Sequence, residues 1–270
     1  MTTESLPASA ALTREAPGLG GFNVTVLKLE VRRLLRNRRT VIFSVVAPSV
    51  LFLAFGLNKA YASQSPGRGS HGNVSAFIMI SMALYGAVLA TTSGGAMVSI
   101  ERAAGWSRQL RLTPLSPVAY ITIKILTAMI LGAASVIVVY AVGRATGKPI
   151  IMPGYLWIVT ALCVWVGSLV FAAFGLFMGY LLPTENVMQI LGFGLMLLSF
   201  AGGLFIPLSQ FPHILQDLAE FTPLYGLNQL VHAPLLGVGV QMAWVANAVA
   251  WLLVFAAGAV WRFRKDTARV

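Results

Sequence analysis

The sequence has 270 residues, of which 57% are hydrophobic and only 10% are charged, with a mean hydropathy of +0.80. A soluble domain carries about 25% charged residues, so this composition excludes a soluble globular protein and predicts an integral membrane protein with a single membrane domain. The formal net charge of +11 does not indicate a nucleic-acid partner, because the arginines cluster beside apolar runs, where the positive-inside rule accounts for them.

The N-terminal region combines a polar tail with a basic helix. Residues 1–22 are rich in small and polar residues and lack the basic start and apolar core of a signal peptide, so we expect an uncleaved, disordered cytoplasmic tail. In Asn23–Arg39, apolar and basic residues fall on opposite helical faces. This predicts an amphipathic helix at the inner membrane surface, whose simplest role is a topology anchor attracted to anionic lipid. The apolar face is Val24, Leu27, Val31, Leu34 and Leu35, and the basic face is Lys28, Arg32, Arg36 and Arg39.

Six apolar runs follow, each of a length that can cross a bilayer, for which roughly 20 residues are needed. Most of the 19 Lys and Arg residues lie before the first run, between the second and third runs, or after the last. The positive-inside rule makes these regions cytoplasmic and predicts an all-α protein with six transmembrane helices and both termini inside. The predicted spans are residues 41–57, 74–98, 118–142, 155–182, 187–206 and 241–261, followed by a cytoplasmic tail at 262–270.

The segment 207–240 before the last predicted span is too apolar for a free loop, but Asp217 and Glu220 argue against a crossing of its own. We expect helices that dip into the outer leaflet, where irregular backbone is tolerated only if protein or water covers it. The expected breaks are at Pro207, Pro212 and Pro223.

Ser99–Pro117 is the long polar segment between the second and third predicted spans, and its three arginines mark the cytoplasmic side. Arg102–Leu112 contains good helix formers and no proline, and Pro114 ends the run. We therefore predict a short helix that lies across the cytoplasmic mouth of the two spans.

Glu101 stands at the start of this polar segment, where a carboxylate at the membrane boundary is costly unless it is paired. One explanation is a local pair with Arg102 or Arg108, or a favourable interaction with the dipole of the short helix. The other is that Glu101 anchors the short helix.

Two blocks of the sequence resemble the permease subunits of ABC-2-type exporters, in the order found in that family. The first block is Glu101-Arg102, Gly105 and Leu110-Arg111-Leu112-Thr113-Pro114, with Lys124 beyond it. The second is Gly202-Gly203-Leu204-Phe205-Ile206-Pro207, followed by Phe211-Pro212 and Thr222-Pro223. The resemblance implies a transmembrane domain over residues 23–261 with the type V exporter fold. In that fold the N-terminal interface helix braces an ATPase, and the short helix after the second span is a coupling helix.

The resemblance implies a permease that exports a hydrophobic small molecule, such as a drug or antibiotic, or a lipid, as in multidrug efflux and antibiotic resistance. A lipid-linked glycan is the alternative cargo. The implied partners are two copies of a separate ABC ATPase, which hold ATP and Mg, a second permease copy in a homodimer, and the lipid of the cell membrane.

The ATPase-coupling residues that the resemblance implies are Glu101, Arg102, Gly105, Trp106, Arg108, Leu110, Arg111, Thr113 and Pro114. The outer gate that it implies is formed by Gly202, Gly203, Phe205, Pro207, Phe211, Pro212 and Pro223.

Lys124 is the only ionisable residue well inside a predicted span, which argues against an ion-coupled transporter. It lies about two turns from the cytoplasmic end, and we favour snorkelling to the interface over contact with a substrate. Large, adaptable side chains of the fifth span suit an apolar substrate surface, although core packing or lipid contact explains them equally well. The candidate path residues are Lys124, Met188, Phe193, Met196 and Phe200.

A GxxxG pattern, Gly175 to Gly179, lies in the fourth predicted span. Such patterns let helices approach closely. We favour packing within the chain over a contact between subunits.

Gly143–Lys148 superficially resembles a phosphate loop, but only three residues separate its glycines and Pro149 follows the lysine. No nucleotide site or other cofactor site is therefore expected on this chain, and an ATP-driven function requires a second polypeptide. His71, His213 and His232 lack metal-ligand spacing, and we predict surface or interfacial positions for them. The sequence has no HExxH or GxSxG motif, so we expect a transport subunit rather than an enzyme.

The competing class is a membrane protein without a transport role, such as a scaffold or an immunity protein. It explains the spans but leaves the block from Glu101 to Pro114 without a reason. A neighbouring reading frame that encodes an ATPase with Walker motifs would favour export.

Overall fold

The computed structural model describes residues 21–105, 116–147, 150–182 and 186–267. Every regular element in these ranges is helical, in agreement with the all-α prediction. The α-helices in chain order are α1 (Val24–Arg36), α2 (Arg38–Val41), α3 (Ala47–Gly56), α4 (Lys59–Ser63), α5 (Val74–Ala103), α6 (Pro117–Ala145), α7 (Gly154–Gly167), α8 (Leu169–Leu181), α9 (Val187–Ala201), α10 (His213–Glu220), α11 (Tyr225–Leu236) and α12 (Met242–Thr267).

Five stretches of the described chain are long and apolar enough to cross a membrane. They are Arg38–Gly56, Val74–Ala103, Val118–Ala145, Gly154–Leu181 and Met242–Lys265. The predicted fifth span, 187–206, contains instead the shorter apolar helix α9, which ends at Ala201. Its 15 residues extend about 22 Å, less than the hydrocarbon core of roughly 30 Å. Five of the six predicted spans are therefore evident from helix length and composition.

In two predicted segments the limits of the helices do not follow from hydropathy. The fourth predicted span, 155–182, consists of two helices, because α7 ends at Gly167 and α8 begins at Leu169. Between them the Ser168 hydroxyl donates to the Trp165 carbonyl at 2.6 Å, a local bond that competes with the backbone ladder. The tail predicted at 262–270 is helical as far as Thr267, since α12 continues past its apolar part.

The first span contains a π-helical segment, Ile42–Val46, between α2 and α3. The wider turn leaves backbone carbonyls available to outside donors. The Ser135 hydroxyl of α6 donates to the Ser44 carbonyl at 2.7 Å. Pro48, which has no N–H group to donate, follows in the first turn of α3. The irregular turn is thus held by a side chain of the third span.

α5 is the centre of the bundle, and glycines allow its neighbours to approach it closely. A Cβ atom on Gly94 would lie 2.8 Å from the Ala128 Cα of α6. A Cβ atom on Gly175 of α8 would overlap the Thr92 carbonyl of α5, and Gly179 faces α5 one turn further on. The GxxxG pattern therefore packs within the chain, which is the alternative that we favoured.

Between α9 and α12 the chain forms a short 3-10 turn and the helices α10 and α11. The turn Leu208–Gln210 follows Pro207, α10 begins directly after Pro212, and α11 begins two residues after Pro223. α11 packs against α5, α7 and α12, so this helix belongs to the bundle.

Candidate functional site

Four charged side chains and a tyrosine meet where α1, α5 and α6 come together, at the end of the bundle predicted to be cytoplasmic. Lys124 Nζ of α6 lies 2.5 Å from Glu101 Oε1 of α5 and 2.8 Å from Glu30 Oε2 of α1. On α1, Arg33 Nη2 lies 2.9 Å from Glu101 Oε1, and Arg33 Nη1 lies 3.5 Å from Glu30 Oε1. The Tyr120 hydroxyl donates to Glu101 Oε2 at 2.5 Å. We call these five residues the ion cluster.

Because the ion cluster is largely buried, each of its charges needs the opposite charges beside it in place of water. Lys124 is 3% exposed and Glu101 is 4% exposed, whereas Arg33 at the rim is 44% exposed. Two carboxylates and two cations leave the cluster without formal net charge. A charge left unpaired at this depth costs several kcal/mol, so loss of one member destabilises the others.

Helical spacing brings the members of the ion cluster together. Glu30 and Arg33 are three residues apart on α1, and Tyr120 and Lys124 are four residues apart on α6, so each pair shares a helical face. Glu101 lies two residues before the end of α5. The cluster therefore joins the N-terminal amphipathic helix to the ends of the second and third spans.

The structure differs from the expectation for Lys124. Its ammonium group does not snorkel to the interface, because it is buried between the carboxylates of Glu30 and Glu101. Glu101 is held by Lys124, Arg33 and Tyr120 from other helices, and Arg108, one of the two local partners considered for it, lies outside the described residues. The carboxylate thus fixes helices that are distant in sequence.

Arg102, next to the ion cluster, reaches the end of α8. Its guanidinium donates to the Tyr180 carbonyl at 2.9 Å and to the Gly179 carbonyl at 3.4 Å. It also lies 5.5 Å from the centroid of the Tyr180 ring. A cation is favourable at the C-terminal end of a helix, where carbonyls lack partners. Arg102 therefore links the ends of α5 and α8.

The predicted coupling helix does not begin at Arg102. Arg102 and Ala103 are the last two residues of α5, and Gly105, with a φ of +72°, turns the chain out of that helix. Glycine is favoured at this position because left-handed backbone is unfavourable for other residues. The other predicted coupling residues lie outside the described residues. They are Trp106, Arg108, Leu110, Arg111, Thr113 and Pro114.

Sequence reasoning missed Glu30, Arg33 and Tyr120 as members of the site. The available signal was Lys124 itself, since a cation in an apolar span requires a partner. Glu30 is the only acidic residue in Asn23–Arg39, which made it a candidate for that partner.

The residues predicted as an outer gate follow α9 and lie against α5 and α11. Gly202 and Gly203 are buried, and Gly203 has a φ of +74°. Asn228 of α11 donates from Nδ2 to the Gly202 carbonyl at 3.0 Å. The Phe205 ring lies 4.9 Å from the ring of Tyr85 on α5. Pro223 is also buried, whereas the more accessible gate residues are Pro207, Phe211 and Pro212.

Three of the predicted path residues share an exposed face of α9. Phe193, Met196 and Phe200 are 64%, 45% and 37% exposed. Met188 instead packs against buried residues that include Ala96 of α5. The structure therefore separates the predicted path residues into an exposed apolar face, an inward-packing methionine and the lysine of the ion cluster.

His232 is buried in α11, and the expectation of a surface or interfacial position is wrong. Its Nδ1 lies 2.9 Å from the Asn228 carbonyl and its Nε2 lies 3.1 Å from the Ser81 hydroxyl of α5. The ring stacks on Phe77, with centroids 4.0 Å apart. Within the described ranges, His, Cys, Asp and Glu form no group of three that could hold a metal.

The sequence matches known proteins over the region that contains the ion cluster and the outer segment. Residues 23–236 match the family described as ABC-2 type transporter. The chain is also 27% identical over 198 residues to YvfS of Bacillus subtilis (strain 168), a protein with the provisional name of transport permease. That alignment covers 73% of this chain and 78% of YvfS. With its apolar helices, this chain is a multi-pass protein of the cell membrane and belongs to the ABC-2 type transporter family.

Proposed function

We propose that this chain is the membrane-spanning subunit of an ATP-driven exporter. Two copies form a homodimer, and each copy binds one ABC ATPase subunit that holds ATP and Mg on the cytoplasmic side. Both termini are cytoplasmic and α9 contributes to a sixth crossing, as in the type V exporters that the sequence resembles. ATP binding on the partner presses on the loop after α5 and thereby tilts the spans. Membership of the ABC-2 type transporter family supports this assignment.

The ion cluster is the observation that carries the proposal. It joins α1 to the end of α5 and to α6 through buried charge pairs. The polar segment of residues 106–115 follows Glu101 after a few residues in the sequence. Because separating buried charges costs several kcal/mol, a push on the loop or on α1 moves the three helices together.

The cargo in this proposal is a hydrophobic small molecule or a lipid. The exposed apolar face of α9, with Phe193, Met196 and Phe200, supports a pathway between the two copies. Large, adaptable side chains suit apolar molecules of varied shape. Gly202–Thr222 forms the outer gate of this pathway.

Gly105→Pro is expected to abolish binding of the ATPase and leave membrane insertion unchanged. Proline fixes φ near −65°, whereas Gly105 has a φ of +72°, so the substitution sends the following loop in another direction. The measurement is co-purification with the ABC ATPase of the proposed complex. ATP hydrolysis by the complex and retention of a lipophilic fluorescent dye by cells are recorded together with it.

Gly69→Pro is the matched control for this substitution. Gly69 has a φ of +81°, and a Cβ atom at either glycine would meet nothing within 4 Å. Gly69 lies in the predicted outer loop, so its variant should keep the ATPase and export the dye. If both variants lose the ATPase, or if neither variant loses it, the result would count against an ATPase-binding surface at the loop after α5. ATP hydrolysis by the chain freed of every other protein would contradict the proposal itself.

A further inference from the structure

Two cations flank an exposed tryptophan at the basic end of α12. The guanidinium carbon of Arg262 lies 5.7 Å from the centroid of the Trp261 ring, and Lys265 Nζ lies 5.4 Å from that centroid. Trp261 itself is 58% exposed. An aromatic ring attracts cations through its electron-rich face, so Trp261 holds the two positive charges close together at the surface of the protein.

This pair of cations has unmet charge and hydrogen-bonding capacity in the part of the chain that the structure describes. Neither Arg262 nor Lys265 forms an ion pair with a described carboxylate, and Arg262 Nε is buried without a hydrogen-bond acceptor there. Like charges three residues apart on a helix repel each other, and a buried donor without an acceptor is unfavourable. An anion in contact with both side chains would reduce both costs.

The cations lie at the same end of the bundle as the ion cluster. The Phe263 ring lies 5.8 Å from the ring of Tyr180, the residue before the last of α8. The Tyr180 carbonyl accepts a hydrogen bond from Arg102, which neighbours the ion cluster. Basic residues and an exposed tryptophan at one end of a membrane helix are typical of the interface between hydrocarbon and water. The cations are therefore at the depth of lipid headgroups.

An apolar strip leads from the cations toward the middle of the membrane. Val254, Trp261 and Lys265 are seven and four residues apart, so they share one face of α12. Val254 is 55% exposed and lies about 16 Å from Lys265 along the helix axis. One leaflet, half of a hydrocarbon core of roughly 30 Å, has a similar thickness. The strip therefore matches the length of a lipid acyl chain and carries positive charge at its headgroup end.

We propose that Trp261, Arg262 and Lys265 form a binding site for the phosphate group of an anionic phospholipid such as phosphatidylglycerol, whose acyl chain lies along the strip toward Val254. The phosphate accepts hydrogen bonds from the guanidinium and ammonium groups. A lipid fits better than a free phosphate ion, because only the lipid also covers the apolar strip. An anionic headgroup fits better than phosphatidylcholine, because choline would bring a further positive charge to the site. The site does not depend on the proposed export function.

Quenching of tryptophan fluorescence by brominated lipids tests the proposal on the full chain in phosphatidylcholine vesicles. The vesicles contain increasing fractions of either phosphatidylglycerol or phosphatidylcholine that is brominated near the headgroup end of its acyl chains. The signal of Trp261 is the difference between each chain and the same chain with Trp261→Phe. Half-maximal quenching of this signal should need at least about fivefold less brominated phosphatidylglycerol than brominated phosphatidylcholine, the effect of one cation near a membrane surface.

Arg262→Gln with Lys265→Gln should remove this preference, so that both brominated lipids quench Trp261 equally. The matched control is Arg32→Gln with Arg36→Gln, which removes two exposed cations from α1 and should keep the preference. Lys265→Gln alone, at an exposed position, should weaken the preference while Arg262 stays in place.

Equal quenching by the two lipids in the parent would overturn the proposal, as would a preference that survives Arg262→Gln with Lys265→Gln. An equal loss of preference in both double variants would also overturn it, because the net charge of +11 would then attract anionic lipid without a specific site. Inorganic phosphate, exchanged for chloride at constant ionic strength, should leave the preference unchanged. If phosphate removes the preference, the site binds a free anion rather than a lipid, and the proposal is wrong.

Discussion

Replacement of Lys124 by methionine is expected to destabilise the folded chain by about 3–5 kcal/mol, the usual effect of removing one partner from a buried ion pair. Methionine preserves most of the side-chain volume, so the loss reflects charge rather than a cavity. Among the described residues, Glu101, at 4% exposure, would then keep Arg33 as its salt-bridge partner. The measurement is the melting temperature of the purified chain in detergent, together with dye export by cells that also carry the ATPase.

The double variant Lys124→Met with Glu101→Gln should recover part of that loss, since it leaves Glu30 and Arg33 as a balanced pair. Lys59→Met, at an exposed position in α4, is the control and should melt like the wild type. If Lys124→Met also melts like the wild type, the buried charges do not join the three helices, and the mechanism of coupling proposed for the ion cluster fails.

Gly175→Ala is expected to destabilise the bundle by at least about 1–3 kcal/mol, as overpacking of a close contact does. The added Cβ would overlap the carbonyl of Thr92 on α5, which is backbone and cannot rotate away. α5 and α8 would have to move apart at the point where they cross. Melting in detergent and the yield of monodisperse protein both report this effect.

Gly192→Ala is the matched control, because Gly192 is also a helical glycine but has no atom within 4 Å of its would-be Cβ. Alanine there should be neutral or stabilising by about 0.5–1 kcal/mol, from the lower helix propensity of glycine. Equal melting temperatures for the Gly175 and Gly192 variants would show that α5 and α8 do not cross as closely as described. A loss of stability at Gly192 alone would indicate that the exposed face of α9 is covered by a second copy.

The spans with the longest apolar runs could be predicted from the sequence because hydropathy depends on composition alone. The break at Ser168 could not, since the flanking residues of α7 and α8 are equally apolar. The continuation of α12 into the predicted tail could not be predicted either, because hydropathy marks the apolar part of a helix and not its last hydrogen-bonded turn. Helix boundaries depend on local hydrogen bonds, which hydropathy does not report.

The ion cluster could be predicted only in part. Glu101 and Lys124 stood out because charges are rare near apolar runs, but their common site depends on the packing of α1 against α6. Arg33 lies in a helix with several other cations, so local spacing could not select it. The turn at Gly105 was also missed, because glycine in a run of good helix formers was interpreted as a helical residue rather than as the end of α5.

The π-helical segment Ile42–Val46 takes up one extra residue in the first span before α3. A π turn contains one residue more than an α turn, so deletion of one residue within it would restore a continuous α-helix. Because the wider turn absorbs the extra residue, Pro48 and Phe52, both now buried, would keep nearly the same angular position after such a deletion. The deletion would return the Ser44 carbonyl to the backbone ladder and so weaken the hydrogen bond that it accepts from Ser135 of α6. The number of residues in this span is therefore not fixed by angular phase, and a related chain without the extra residue can bury the same helical face.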